Sequence, residues 1–231
     1  MSKISIEQIK AVAIYLAELR EQVVFIGGAT TALLVDSVAA FGVRQTEDID
    51  CVIDINLRSD YVQFEGQMRQ LGFQHDPTYG APICRWTMPH LNSRLIVDVM
   101  PADEKILGFS NRWYNETIKT AWQLELDAGL FIRVVHPVYF LGTKFEAWLG
   151  RGKNDIYAHD LEDIFYVLEH RTGIEQTIFD APPAIKTYLA EQCKILLAHP
   201  GLDNSLPGLV DSVALVKSRL KFIAHLGELK A

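Results

Sequence analysis

The sequence predicts an α+β fold, with strands and helices interleaved in the first part of the chain and a mostly helical remainder. Three observations predict it. Short β-branched runs alternate with helical periods up to about residue 105. From Pro137 onward the apolar residues recur at helical spacing. Of the 231 residues, 49% are hydrophobic and 22% charged, enough to bury a real core. The division is drawn at 1–108 and 109–231, in a chain long enough for one large domain or two small ones.

Residues 6–20 (IEQIKAVAIYLAELR) have a helical period, with Ser5 and Gln8 as a capping box at their start. QVVFIGG reads as a buried strand running into a tight turn, and ATTALLVDSVAAFG as one helix ended by Gly42. DIDCVIDI is a second strand and SDYVQFEGQMRQLGF a further helix. ICRWTM (83–88) and RLIVDVM (94–100) are two more strands, joined by a polar turn over Pro89 to Ser93, with Pro101 ending the second. Residues 111–121 read as a helix, and QLELDAGLFIRVVHP as a hairpin turning at Ala128-Gly129. Helices follow over 137–149, 157–171, 182–198 and 208–227, separated by breakers such as Pro182-Pro183 and HPGLDNSLPG.

Composition narrows the function. The net charge of −7 argues against a protein that coats nucleic acid, while leaving room for a local basic cleft. No apolar run approaches the roughly 18–20 residues of a membrane span. The first residues, MSKISIEQIK, lack the apolar stretch of a secretory signal. The three cysteines (Cys51, Cys84, Cys193) have no CxxC spacing and read as reduced core residues of a cytoplasmic protein.

The chemistry gathers in the first part. A strand ends in Gly27-Gly28 and a helix follows. Glycines there permit close backbone approach, and a helix start offers free N–H groups to phosphate. The next strand begins with Asp48 and Asp50, which point to one face with Cα atoms about 6–7 Å apart. Their repulsion is relieved by a divalent cation, and hard oxygen ligands suit Mg²⁺. Asp98 lies in the apolar strand RLIVDVM, where a charge needs a partner. Two readings stay open for it: a third metal carboxylate, or an ion pair with Arg94 or Arg85. Farther on, Asp160 and Asp163 share a helix face at i, i+3, with Lys144 one helix earlier. His159 reads as structural, Lys153 as a solvated loop charge, and Trp113, Tyr114, Trp122 and Trp148 as core rather than base platforms.

Gly27-Gly28, then Arg44-x-Thr46-x-Asp48-x-Asp50, then Asp98, together resemble the nucleotidyltransferase superfamily, the fold of DNA polymerase β and the tRNA CCA-adding enzymes. Within it, the order Arg-x-Thr-x-Asp-x-Asp and the later segment KFEAWLGRGKNDIYAHDLEDI, with Lys144, Ala147, Arg151, Asp160 and Asp163, look most like AbiEii/MenT-type nucleotidyltransferases. The likeness covers about residues 20–170. It departs from the pattern in a longer gap between Gly28 and Asp48, in Gly-Gly for the frequent Gly-Ser, and in the inserted NDIYAH.

The resemblance implies a nucleotidyltransferase-type mixed sheet with flanking helices, an NTP substrate, and Mg²⁺, with two ions possible, at Asp48, Asp50 and Asp98. It implies phosphate and nucleotide contacts from Gly27, Gly28, Arg44, Thr46, Lys144 and Arg151, with Thr30 or Thr31 replacing the family's serine. Asp160 would support Lys144 or help activate the acceptor. The implied acceptor is a tRNA 3′ end, and the implied partner an antitoxin protein. A small-molecule acceptor, as for aminoglycoside nucleotidyltransferases, a protein side chain, and an inactive binding module on the same fold stay open as alternatives.

Overall fold

A computed structural model describes residues 2–152 and 155–227. The chain opens with α1 (Ser2–Leu16), which buries Ile9, Val12, Ala13 and Leu16, and continues as a 3-10 turn, Ala17–Glu21. Strand β1 (Val23–Ile26) is wholly buried, as its unbroken apolar run requires. A 3-10 turn at Gly28–Thr30 and the one-turn helix α2 (Thr31–Leu34) lead to a second 3-10 turn, Ala39–Gly42. Then come β2 (Asp48–Ile53), α3 (Arg58–Gln70), β3 (Gln74–His75), β4 (Arg85–His90) and β5 (Ser93–Pro101). Short helices α4 (Glu104–Leu107) and α5 (Tyr114–Lys119) precede the hairpin of β6 (Trp122–Asp127) and β7 (Leu130–Val134). The described residues that follow are mostly helical: α6 (Pro137–Gly150), α7 (His159–His170), α8 (Ile174–Phe179), α9 (Pro183–Leu197), α10 (Leu202–Ser205) and α11 (Val213–Leu226).

All seven strands form one mixed sheet in the order β3-β4-β5-β2-β1-β7-β6. Strand β2 runs antiparallel to β1 and parallel to β5, so it lies at the centre with both acidic strands side by side. Helix α1 packs on β2, β5 and β7, and α5 packs on β1 and β2. One apolar core runs from the sheet (Phe25, Val52, Val97) into the helices (Phe140, Phe165, Leu189, Leu220). The predicted α+β class is the observed one. Two of the seven strands, β6 and β7, come from beyond residue 108, because β7 pairs in parallel with β1 at Phe25↔Val134. The sheet therefore draws on both sides of that division.

Three local expectations differ from the structure. Helix α1 begins at Ser2, so Ser5 sits inside it, fully buried, and caps nothing. Residues 29–42 are not one helix. Val35 is extended, and the C-terminal end of α7 captures the backbone on either side: Asp36 N–H donates to the His170 carbonyl at 3.1 Å, and Arg171 donates to the Leu34 carbonyl at 2.6 Å. The 83–101 hairpin turns more tightly than drawn, with Leu91 in the left-handed region and Ser93 already paired with His90. Pro101 is the last residue of β5, as expected. The cysteines are free and buried, as expected. Among the described residues, no helix is long and apolar enough to cross a membrane.

Candidate active site

The site starts where β1 ends. Gly27 has φ 74° and ψ −172°, a conformation open essentially to glycine alone. A Cβ there would stand 1.9 Å from Asp50 Oδ2, so the glycine lets the β1 turn close onto the carboxylate. Gly28 is pressed from the other side: a Cβ would meet Thr46 Cγ2 at 2.8 Å and Asp163 Oδ2 at 3.1 Å. The two glycines thus sit between the acidic strand and the later helical segment.

Across the parallel β2–β5 pair, Asp50 is in register with Asp98. On the next strand Arg85 is in register with Asp98 as well. Its guanidinium grips Asp98 with two bonds, Nε to Oδ1 at 2.8 Å and Nη2 to Oδ2 at 2.7 Å, and Nη2 also reaches Asp48 Oδ2 at 2.8 Å. Such a fork is the strong, planar form of a charge-assisted pair. The side-chain bonds of this one guanidinium all go to Asp48 and Asp98. Asp50 is left over. Burial, and then the neighbouring Asp48 charge, push its carboxyl up to about 7.

A second ionic cluster adjoins it. His136 starts α6 by accepting the Val138 N–H, with Pro137 in the first turn. The helix carries Lys144, whose buried ammonium lies 2.7 Å from Asp163 Oδ2 and 3.0 Å from Asp160 Oδ1. Both carboxylates belong to the first turns of α7, where negative charge complements the helix dipole. Arg44 closes on Asp163 at 3.3 Å, and Arg151 on Asp160 at 3.0 Å. Burial pulls Lys144 down, but Asp163 and Asp160 outweigh it and hold the ammonium above its usual range. Burial raises Asp160, and Lys144 and Arg151 more than reverse that. The tight turn after α6 presents Arg151: a Cβ on Gly152 would meet the Trp148 carbonyl at 2.6 Å, and the buried Trp148 indole N–H donates to the Asp155 carbonyl at 2.9 Å.

Between the clusters opens a cleft of about 500 Å³, lined by Gly27, Asp50, Tyr114, Lys144, Arg151 and Asp160 among others. That volume falls in the range of small-ligand pockets. The structure thus brings together Gly27, Asp50, Lys144, Arg151 and Asp160, with Asp48 beside Asp50. Arg151 is the accessible cation, its side chain 73% exposed, whereas Lys144 is locked in its pairs. Other predicted residues lie off the cleft. Arg44 lines a separate pocket on the far side of Asp163. Thr30 is buried and spends its hydroxyl on the Gly27 carbonyl at 2.8 Å, and Thr31 is buried beside Arg44. Thr46 donates to the Asp48 carbonyl and packs on Gly28. His159 pairs with Glu162 on the surface, Trp113 and Trp148 are buried, and Trp122 is half-buried, while Tyr114 is buried at the cleft wall. Lys153 lies outside the described residues. Among the described residues, no group of three or more His, Cys, Asp or Glu side chains stands ready to hold a metal ion; Arg85 bridges two of the three aspartates. Asp50 and the second oxygen of Asp48 remain as hard donors toward a cation. Of the two pairings read for Asp98, that with Arg85 is formed, while Arg94 pairs with Asp76.

The mixed sheet, its glycine turn and the helices beyond it make a nucleotidyltransferase-like fold. In particular, the chain is similar to the crystal structure of an antigenic nucleotidyltransferase-like protein from Paracoccidioides brasiliensis. The likeness covers 91% of this chain and 95% of that one at 19% identity, with a TM-score of 0.54. At that identity the likeness is one of fold. No family model and no curated protein matches the sequence.

Proposed function

We propose that the protein is a Mg²⁺-dependent nucleotidyltransferase that moves a nucleoside monophosphate from NTP to an acceptor hydroxyl and releases pyrophosphate. The observation that carries this is the joining of Asp50 to Lys144, Arg151 and Asp160 across one cleft, at the glycine turn of a nucleotidyltransferase-like fold. Asp48 and Asp50 would hold the cation, which supplies charge neutralisation at the phosphates. Gly27 lets the chain approach the ligand closely, and Arg151 meets phosphate charge from the open side. Lys144, fixed by Asp160 and Asp163, adds positive potential at the cleft wall without being free to swing. The acceptor hydroxyl gives up its proton to water, and its oxygen attacks the α-phosphorus as the bond to pyrophosphate breaks; the site contributes positioning and charge stabilisation.

The order of Arg44, Thr46, Asp48 and Asp50, followed by the Lys144–Asp163 segment, favours the AbiEii/MenT-type branch. On that reading the acceptor is a tRNA 3′ end and the protein is the toxin of a toxin–antitoxin pair. Incubation with each α-labelled NTP, Mg²⁺ and separate pools of RNA, protein and small molecules tests this. Label entering RNA, and lost in Asp48→Ala and Asp50→Ala, is the expected outcome. Label entering only protein or an antibiotic-like amine would overturn the tRNA acceptor, and transfer surviving both substitutions would overturn the site. A second reading, a nucleotide-binding module without catalysis, is favoured by the Arg85 fork that occupies Asp48 and Asp98. Tight NTP binding with no transfer to any pool would establish it.

A further inference from the structure

Arg85 stands inside the carboxylate cluster, and the reaction just described gives it no part. It projects from β4 and takes both oxygens of Asp98 and one of Asp48, all at 2.7–2.8 Å. Its side chain keeps 22% exposure, so one edge opens to solvent, and the Asp48 side chain it touches is 36% exposed. Asp98, by contrast, is almost closed off, at 9%. The grip is therefore firm on Asp98, by a bidentate fork, and single-bonded and more hydrated on Asp48. A divalent ion binding through Asp48, even by the oxygen that Arg85 leaves free, shares that carboxylate with a guanidinium. The two like charges repel, and each draws on the charge of the one carboxylate. One guanidinium also neutralises only one of three carboxylates, so the cluster retains a demand for positive charge that Arg85 does not meet.

Resting on the cation-dependent reading above, we propose that Arg85 is a built-in counter-cation: it holds Asp48 and Asp98 together in the ion-free protein, and a divalent cation competes with it for Asp48. Arg85 is thus a positioning residue that keeps the strand ends β2, β4 and β5 assembled while setting the cation affinity low. The Arg85–Asp98 fork persists through the exchange, and Nη2 gives up only its second bond, the one to Asp48.

Calorimetric titration of the full chain with MnCl₂, without nucleotide, tests this independently of turnover. Wild type, Arg85→Gln, Arg85→Lys and Asp50→Asn are compared, with far-UV circular dichroism to establish folding. Arg85→Gln is expected to bind Mn²⁺ at least about tenfold more tightly than wild type, because the competitor is gone. Arg85→Lys, which keeps the charge but loses the planar fork, should fall between them; it carries the test if Arg85→Gln does not fold. Affinity unchanged or weakened in Arg85→Gln, or unchanged in Arg85→Lys where that carries the test, would overturn the inference. If binding is then still lost in Asp50→Asn, the cation reading survives. Absence of Mn²⁺ binding in wild type and both Arg85 variants would overturn both together.

Discussion

Asp50 is the carboxylate left without a bonded cation, because its neighbours Asp48 and Asp98 share Arg85. Its carboxyl lies near 7, against 3.8 for an unperturbed aspartate. A group that binds its proton more tightly when folded stabilises the fold when protonated. That stability is present below about 4 and is lost as pH rises through about 7. Asp50→Asn should therefore be more stable than wild type at pH 8 in EDTA, by roughly 1–3 kcal/mol after discounting for partial exposure. The two should converge near pH 4, and saturating Mg²⁺ should raise only the wild type; denaturant melts at both pH values measure this. Gly27 faces the same oxygen. Gly27→Ala adds about 1–3 kcal/mol of backbone strain and drives a methyl into Asp50. It is expected to lower the melting temperature and abolish NTP binding, while Gly80→Ala, also at positive φ but with open space around it, costs only stability. At this scale the sequence disclosed the acidic pair and the glycines through spacing alone. It left Asp98 undecided, since choosing between Arg85 and Arg94 requires knowing that β4 and β5 pair in the register that sets Arg85 opposite Asp98. Thr30 and Thr31 are both fully buried, Thr30 at the end of the 3-10 turn that follows Gly27 and Thr31 at the start of α2, an inward placement that spacing does not show.

Helices α6 and α7 act as one ionic unit, in which Lys144 is sandwiched between Asp160 and Asp163 and buttressed by Arg44 and Arg151. Removing one partner from a buried pair strands the other. Asp163→Ala is expected to cost about 3–5 kcal/mol, and urea melts should show it. Arg44→Ala, releasing a more exposed partner, should cost far less. A loss for Arg44→Ala as large as that for Asp163→Ala would refute the buttress arrangement. These helices were legible because their apolar period is strong, and Pro137 marks the start of α6. The 29–42 segment was not. Its composition suits a helix, but tertiary bonds from α7 to Leu34 and Asp36 override that propensity. The β7–β1 pairing was equally hidden, since a parallel contact spanning a hundred residues leaves no local trace.

The whole molecule is a seven-stranded mixed sheet whose acidic centre faces a helical segment across a cleft of about 500 Å³. The order of motifs along the chain anticipated that meeting; their three-dimensional distances did not follow from it. The fold likeness to a nucleotidyltransferase-like protein extends over nearly the full length of both chains. On the function proposed, this cleft is a cation-dependent NTP site. Nucleotide binding tests it most directly, because it needs no knowledge of the acceptor. Affinities for ATP, GTP, CTP and UTP, measured by calorimetry with Mg²⁺ and with EDTA, should show at least one NTP bound only when Mg²⁺ is present, and that binding should weaken at least about 100-fold in Asp50→Asn. Failure of every NTP to bind, or binding indifferent to both Mg²⁺ and Asp50, would contradict the account.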